Sequence, residues 1–150
     1  MRTMARGEVM ALEMDQAALM AFLASDFAEV ADSFVVERAD ASGIDVRLCQ
    51  SARNLRPGGT VSGPALFALA DVAVYLAILS RIGPKALTVT TNASIDFLRK
   101  PAADTDLICT ARILKLGRVL VVGDALIYAR GLADPVARAT LTYSIPPART

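Results

Sequence analysis

From Gly63 to Ile82 the chain is apolar almost without interruption, and in its middle stands one carboxylate, Asp71. A run of this length is long enough to cross a bilayer. A carboxylate at the bilayer centre, however, costs at least about 2.5 kcal/mol on insertion scales. The run also lies mid-chain, between strand-like segments. It therefore reads as a core helix, apolar nearly all round because other structure surrounds it on most sides. Ser62 or Gly63 can cap it, Pro64 is tolerated in its first turn, and Gly83-Pro84 stops it, so the expected helix spans about Ser62 to Ser80.

The rest of the chain supplies the cover. Asp15 to Ala24 reads as a short amphipathic helix capped by Asp15, with Leu19, Met20, Phe22 and Leu23 as its apolar face. Ser33 to Ala39 and Gly43 to Cys49 are strand-like around the turn residues Asp40-Ala-Ser-Gly43. A polar loop, Gln50 to Gly59, ends in Pro57-Gly58-Gly59. After the long helix, Thr88 to Leu98 alternates, with Val89, Thr91, Ala93, Ile95 and Phe97 on the expected apolar face. Asp106 to Leu116 and Val119 to Arg130 form a hairpin around Gly117-Arg118, and Pro135 to Ile145 is the last strand. The expected fold class is α+β, with a long central helix wrapped by a curved antiparallel sheet of about six strands. No edge strand is guarded by charge, so edge pairing between subunits is expected.

Length and composition narrow the function. The 150 residues fit a single domain, 1–150. The 54% apolar content is high for a soluble monomer and fits an oligomer. A net charge of +1, with no basic stripe, argues against nucleic acid as a partner. Met1 to Asp15 has arginines but no apolar core of a signal peptide. Cys49 and Cys109 read as two buried thiols in a reducing cytoplasm, ahead of a disulfide or a reactive thiol. The chain has no histidine, which excludes Ser-His-Asp and Cys-His nucleophile systems and the commonest zinc ligand sets. Acid–base chemistry near neutral pH then falls to carboxylates, Tyr, Lys or water.

Asp71 is the prime candidate. A charge in the middle of a core helix costs several kcal/mol unless something pairs or uses it. It is either a structural aspartate bonded to backbone or to a neighbouring subunit, or a base or nucleophile lining a cleft. Tyr75, one turn on, shares its face with Phe67, Ala68 and Ile78. Gly63 lies at the helix start, where unpaired N–H groups and the positive dipole end can polarise a carbonyl and hold an oxyanion. Gly63 and Asp71 are eight residues apart, about 12 Å along a helix. If both act on one substrate atom, they must come from different subunits.

The run Asn54-Leu-Arg-Pro-Gly-Gly-Thr-Val-Ser-Gly-Pro-Ala-Leu-Phe-Ala-Leu-Ala-Asp71 resembles the signature of hotdog-fold acyl-CoA thioesterases, in particular the PaaI-like group of phenylacetic acid degradation. That group shows an Asn, a Gly-Thr-Val-like step, His-Gly-Gly, and an Asp nine residues after the His; Ser62 here is nine before Asp71. Thr91 to Pro101, Leu116-Gly117-Arg118 and Ala137 to Tyr143 extend the likeness, so it covers about residues 33–146, the expected core.

The resemblance implies a cytoplasmic homodimer or homotetramer with shared active sites, hydrolysing a coenzyme A thioester without a further cofactor. Asp71 would activate water or attack the carbonyl, and Gly63 of the other subunit would polarise it. Thr91 would place the water, and Asn54 would orient the substrate. Ser62, Pro64, Phe67 and Tyr75 would line the substrate site, with Arg99, Lys100 and Arg118 meeting the phosphates. Three departures stand out. Ser62 replaces the family histidine, Pro64 replaces a glycine and has no N–H to donate, and Asn54 lies about two residues further from Ser62 than is usual for the family. Ser62 has no base to make it a nucleophile. A non-catalytic acyl-CoA or fatty-acyl binding protein on the same fold is the alternative these changes favour; a dehydratase or hydratase would want a histidine base.

Overall fold

In the computed structural model, which describes residues 12–49 and 51–147, Asp15 caps the first helix as expected: its Oδ1 accepts the Ala18 amide at 2.9 Å. Residues 1–11, on which most of the signal-peptide expectation rests, and Gln50 of the polar loop lie outside the described residues. Helix α1 spans Gln16–Asp26, and a single turn, α2, spans Ala28–Ala31. Strands β1 (Phe34–Asp40) and β2 (Gly43–Leu48) form the first hairpin. A 3-10 turn at Ala52–Asn54 leads into the long helix α3, Gly63–Ile82, which ends two residues beyond its expected limit. Four strands follow: β3 (Val89–Phe97), β4 (Leu107–Leu116), β5 (Leu120–Ala129) and β6 (Pro135–Ser144).

All six strands form one antiparallel sheet in the order β1-β2-β4-β5-β6-β3. The sheet curls around α3, and α1 closes over the helix from the side. The helix has the hydropathy and length of a membrane span, yet 72% of its most apolar window is buried inside the protein. Every residue from Val72 to Ser80 is buried. Where β5 crosses α3, the absence of a side chain at Gly123 lets the two meet. A Cβ there would stand 2.7 Å from Val74 Cγ1 and 3.1 Å from the Arg112 carbonyl oxygen. Gly123→Ala is expected to destabilise the fold by about 1–3 kcal/mol through overpacking, read as a lower thermal midpoint.

The alternation along β3 does not become one buried face and one wet face. Val89 and Phe97, both on the expected apolar face, are 55% and 54% exposed. Thr88, on the expected polar face, is buried, and only Ile95 packs partly against the core. Two causes act together. The strand is the last in the sheet, so one of its edges is unpaired. A bulge between Thr90 and Asn92, opposite Tyr143 and Thr142, also shifts the register.

The helix is uncovered at one place. In its N-terminal half Gly63, Pro64, Phe67, Ala68 and Asp71 all stay partly or fully exposed. Their spacing of three and four puts them on a single stripe. That stripe adjoins β3 at both ends: Phe97 packs against Gly63, and Thr90 reaches Asp71. Tyr75 and Ile78, expected on the same face, lie beyond the opening and are buried.

Candidate active site

The open stripe presents a carboxylate at one end and a helix terminus at the other. Asp71 Oδ1 accepts a hydrogen bond from Thr90 Oγ1 at 2.7 Å and a second, short one from the Tyr143 hydroxyl. Thr90 on β3 and Tyr143 on β6 are directly paired across the sheet, so both hydroxyls come from one rigid cross-strand unit. Tyr143 is 2% exposed. Burial, and then the negative charge of Asp71, push its phenol well above the usual tyrosine range, which keeps it a donor. Asp71 Oδ2 has no hydrogen-bond partner among the described residues and is the oxygen left for substrate or water.

Tyr143 was visible in the sequence only as the end of the last strand, and Thr90 only as a polar residue of β3. Thr91, the hydroxyl expected beside Asp71, sits at the bulge and donates instead to the Thr142 carbonyl at 3.3 Å. The structure brings Thr90, not Thr91, onto the carboxylate.

At the other end, Ser62 is the N-cap of α3: its Oγ accepts the Ala65 amide at 3.2 Å, and its carbonyl accepts Leu66 N–H. Pro64 has no N–H. Gly63 N–H is therefore the one first-turn donor with no partner among the described residues. The Phe97 ring stands 3.3 Å from where a Cβ on Gly63 would be, so the glycine makes room for that side chain. Asn54 is close by in the chain's own fold, since its carbonyl accepts Ser62 N–H at 2.7 Å. Its side chain turns away, donating to the Cys49 carbonyl at 3.4 Å. Phe67 lies on the open stripe between the two ends. Tyr75 lies under it, its hydroxyl donating to the Ala86 carbonyl at 2.9 Å while its ring packs on Phe22, Phe27 and Tyr143.

The basic residues divide. Arg99 and Lys100 line a cavity of about 330 Å³ with Pro101, Thr105 and Asp134. This cavity adjoins the Gly63 end, because Val61 N–H donates to the Pro101 carbonyl. Arg99 is already engaged, donating to the Pro135 carbonyl at 2.6 Å with Asp134 at 4.0 Å. Arg118 lies on the β4–β5 turn, next to the pairing of Leu120 with Ser144 and of Ser144 with Val89. It is thus at the opposite end of β3, nine residues long, or about 30 Å at strand rise. One chain does not bring the three cations together. Both cysteines are free thiols, but only Cys109 is buried as expected, Cys49 being partly exposed just after β2; burial pushes the Cys109 thiol far up, so it is inert packing.

The comparisons with known proteins identify the family and the fold. No curated protein matches the chain. A candidate thioesterase from Silicibacter sp. TM1040 is 51% identical and superposes with a TM-score of 0.86, over 93% of this chain and 97% of its own. The PaaI protein from the phenylacetic acid degradation operon of E. coli is 25% identical, with a TM-score of 0.73 over 85% of this chain and 89% of its own. Zebrafish thioesterase superfamily member 2, 20% identical with a TM-score of 0.75 over 87% and 95%, shares the hotdog fold of one long helix in a curved six-stranded sheet. The thioesterase superfamily matches residues 58–135, a span that holds the whole of α3 and the open face of β3. The chain belongs to the thioesterase superfamily.

Proposed function

We propose that the protein hydrolyses acyl-coenzyme A thioesters at sites shared between two subunits, with Asp71 as base and Gly63 as oxyanion donor. The observation that carries this reading is the shared open face. Asp71 lies at the Thr90 end of an unpaired edge strand, and Gly63 at its Phe97 end. Two copies of β3 joined antiparallel about a two-fold axis set one subunit's Thr90 end against the other's Phe97 end. Asp71 then faces the partner subunit's Gly63, which no single chain achieves. The same operation moves Arg118 toward the partner subunit's Arg99 and Lys100, where three cations can meet the coenzyme's phosphates.

The reaction follows from these groups. Asp71 Oδ2 takes a proton from water, and the hydroxide adds to the thioester carbonyl. The oxyanion is held by Gly63 N–H at the positive end of α3. Collapse breaks the C–S bond, and the proton on Asp71 goes to the departing thiolate, leaving a carboxylic acid and free coenzyme A. Thr90 and Tyr143 fix the Asp71 rotamer so that Oδ2 stays turned outward. Direct attack by Asp71 would instead form an anhydride. A single turnover in ¹⁸O-water that puts label into Asp71 would establish the anhydride route, opened by water at the Asp71 carbonyl, because the general-base route leaves both Asp71 oxygens unlabelled. We assign the setting to the cytoplasm, where the two thiols stay reduced.

The alternative, a non-catalytic acyl-CoA binder, draws support from Ser62 being occupied as a cap and from Pro64 leaving a single donor. Release of free thiol from short, medium, long and aryl acyl-CoAs decides between them. Turnover on any of the panel is expected; tight binding of thioesters with no thiol released would establish the binder.

A further inference from the structure

A cavity of about 570 Å³ is a groove that starts at Thr90, beside Asp71, and ends between Asp26 and Glu29 where α1 meets α2. Its apolar walls come from Phe27, Tyr75 and Leu87. Its volume of about 570 Å³ is ample for a medium-length acyl chain. Asp26 and Glu29 are exposed at the far end, and among the described residues neither forms an ion pair. Asp26 is near enough to Tyr75 that its charge adds to burial in raising the phenol. Thr88, 4% exposed, also belongs to this wall, and its Oγ1 is a buried polar atom with no hydrogen-bond partner among the described residues.

We infer that this groove holds the acyl group and selects its far end. It accepts medium-length chains that end in a hydrogen-bond donor such as a hydroxyl or ammonium, and it rejects chains that end in a carboxylate. The selection is by charge. A terminal carboxylate would be placed beside Asp26 and Glu29, where like charges repel. A terminal ammonium meets two carboxylates that pair with no cation among the described residues. The inference rests on the acyl-thioester reading for the position of the chain, but its test does not need turnover.

The probes are S-octyl-CoA, S-(8-aminooctyl)-CoA and S-(7-carboxyheptyl)-CoA, thioethers that cannot be hydrolysed, with binding to the full chain measured by calorimetry at low salt. The carboxyheptyl probe is expected to bind at least about tenfold more weakly than the octyl probe, and the aminooctyl probe at least as tightly as it. In the Asp26→Asn, Glu29→Gln double variant the spread should close to within about twofold. Equal binding of all three to the native chain, no binding of any, or a spread that survives the double variant overturns the assignment. If the spread is found while the matching thioesters release no thiol, the groove stands and the hydrolytic reading falls. If thiol is released but the spread is absent, the reverse holds.

Discussion

Replacing Asp71 by Asn is expected to lower kcat for thioester hydrolysis by on the order of 10³-fold, the usual worth of a positioned general base, while KM stays within a few-fold. The substitution is unusually clean here. Asn Oδ1 can still accept from Thr90 and Tyr143, so the cross-strand hydroxyl pair keeps its partner. What is lost is the basic Oδ2, which the amide replaces with a donor. Stability should change by less than about 1 kcal/mol, and the mass of the assembly should not change. Steady-state thiol release with a melting curve on the same sample checks all three. A rise in KM with kcat intact would instead make Asp71 a binding residue and remove the base from the mechanism. Unfolding of the variant would restore the reading of Asp71 as structural.

The central helix was legible because its signals agree. A capping Ser62, a proline in the first turn, a near-continuous apolar run and Gly83-Pro84 all point to one element, and α3 follows them to within two residues. The hairpins were legible for the same reason, with Asp40-Ala-Ser-Gly43 and Gly117-Arg118 at their turns. Strand β3 shows where such reading stops. Alternation says which residues could share a face, but it cannot see a bulge between Thr90 and Asn92, nor that the strand is an edge with little of the fold against it. Its exposed Val89 and Phe97 belong to the surface along which we propose that a second copy pairs.

The site divides along the same line. Asp71 stood out from the sequence because a lone carboxylate in an apolar helix conflicts with every neighbour, and such conflicts tend to mark function. Gly63 stood out by its place at a helix start. Tyr143 carried no such signal: a tyrosine on an alternating strand is an ordinary core residue, and its hydroxyl becomes notable only once β6 lies across from Asp71. Thr90 and Thr91 are adjacent hydroxyls, and nothing in their types says which one reaches the helix. Only the register of β3 against β6 decides it, and the bulge decides it for Thr90. The cations were legible as charges but not as a group, since the meeting we propose for them depends on a symmetry operation that one chain does not contain.

That operation yields the other large effect. Gly63→Pro removes the free N–H at the start of α3, where proline is otherwise well tolerated. It is expected to lower kcat about 10²–10³-fold, the loss seen when one oxyanion donor is taken away. Phe97, half exposed, has room to yield to the new ring. The Asp71→Asn chain keeps its Gly63, and the Gly63→Pro chain keeps its Asp71. If sites are shared, a mixed dimer holds one site with both groups intact and one with neither. Random exchange of equal amounts makes half of the dimers mixed, so unfolding and refolding the two inactive proteins together should restore about one quarter of native activity. If each site lay within one chain, mixing would restore nothing, because every chain in the mixture carries a defect. The distance along α3 makes the second outcome hard to reconcile with any joint role for the two residues: eight helical positions are about 12 Å, and an aspartate side chain does not span them. Recovery to about a quarter would therefore test the base, the oxyanion donor and the antiparallel pairing of β3 in one measurement. Failure to recover, with mixed dimers demonstrated by mass, would separate Gly63 from Asp71 and leave the helix terminus without its assigned part.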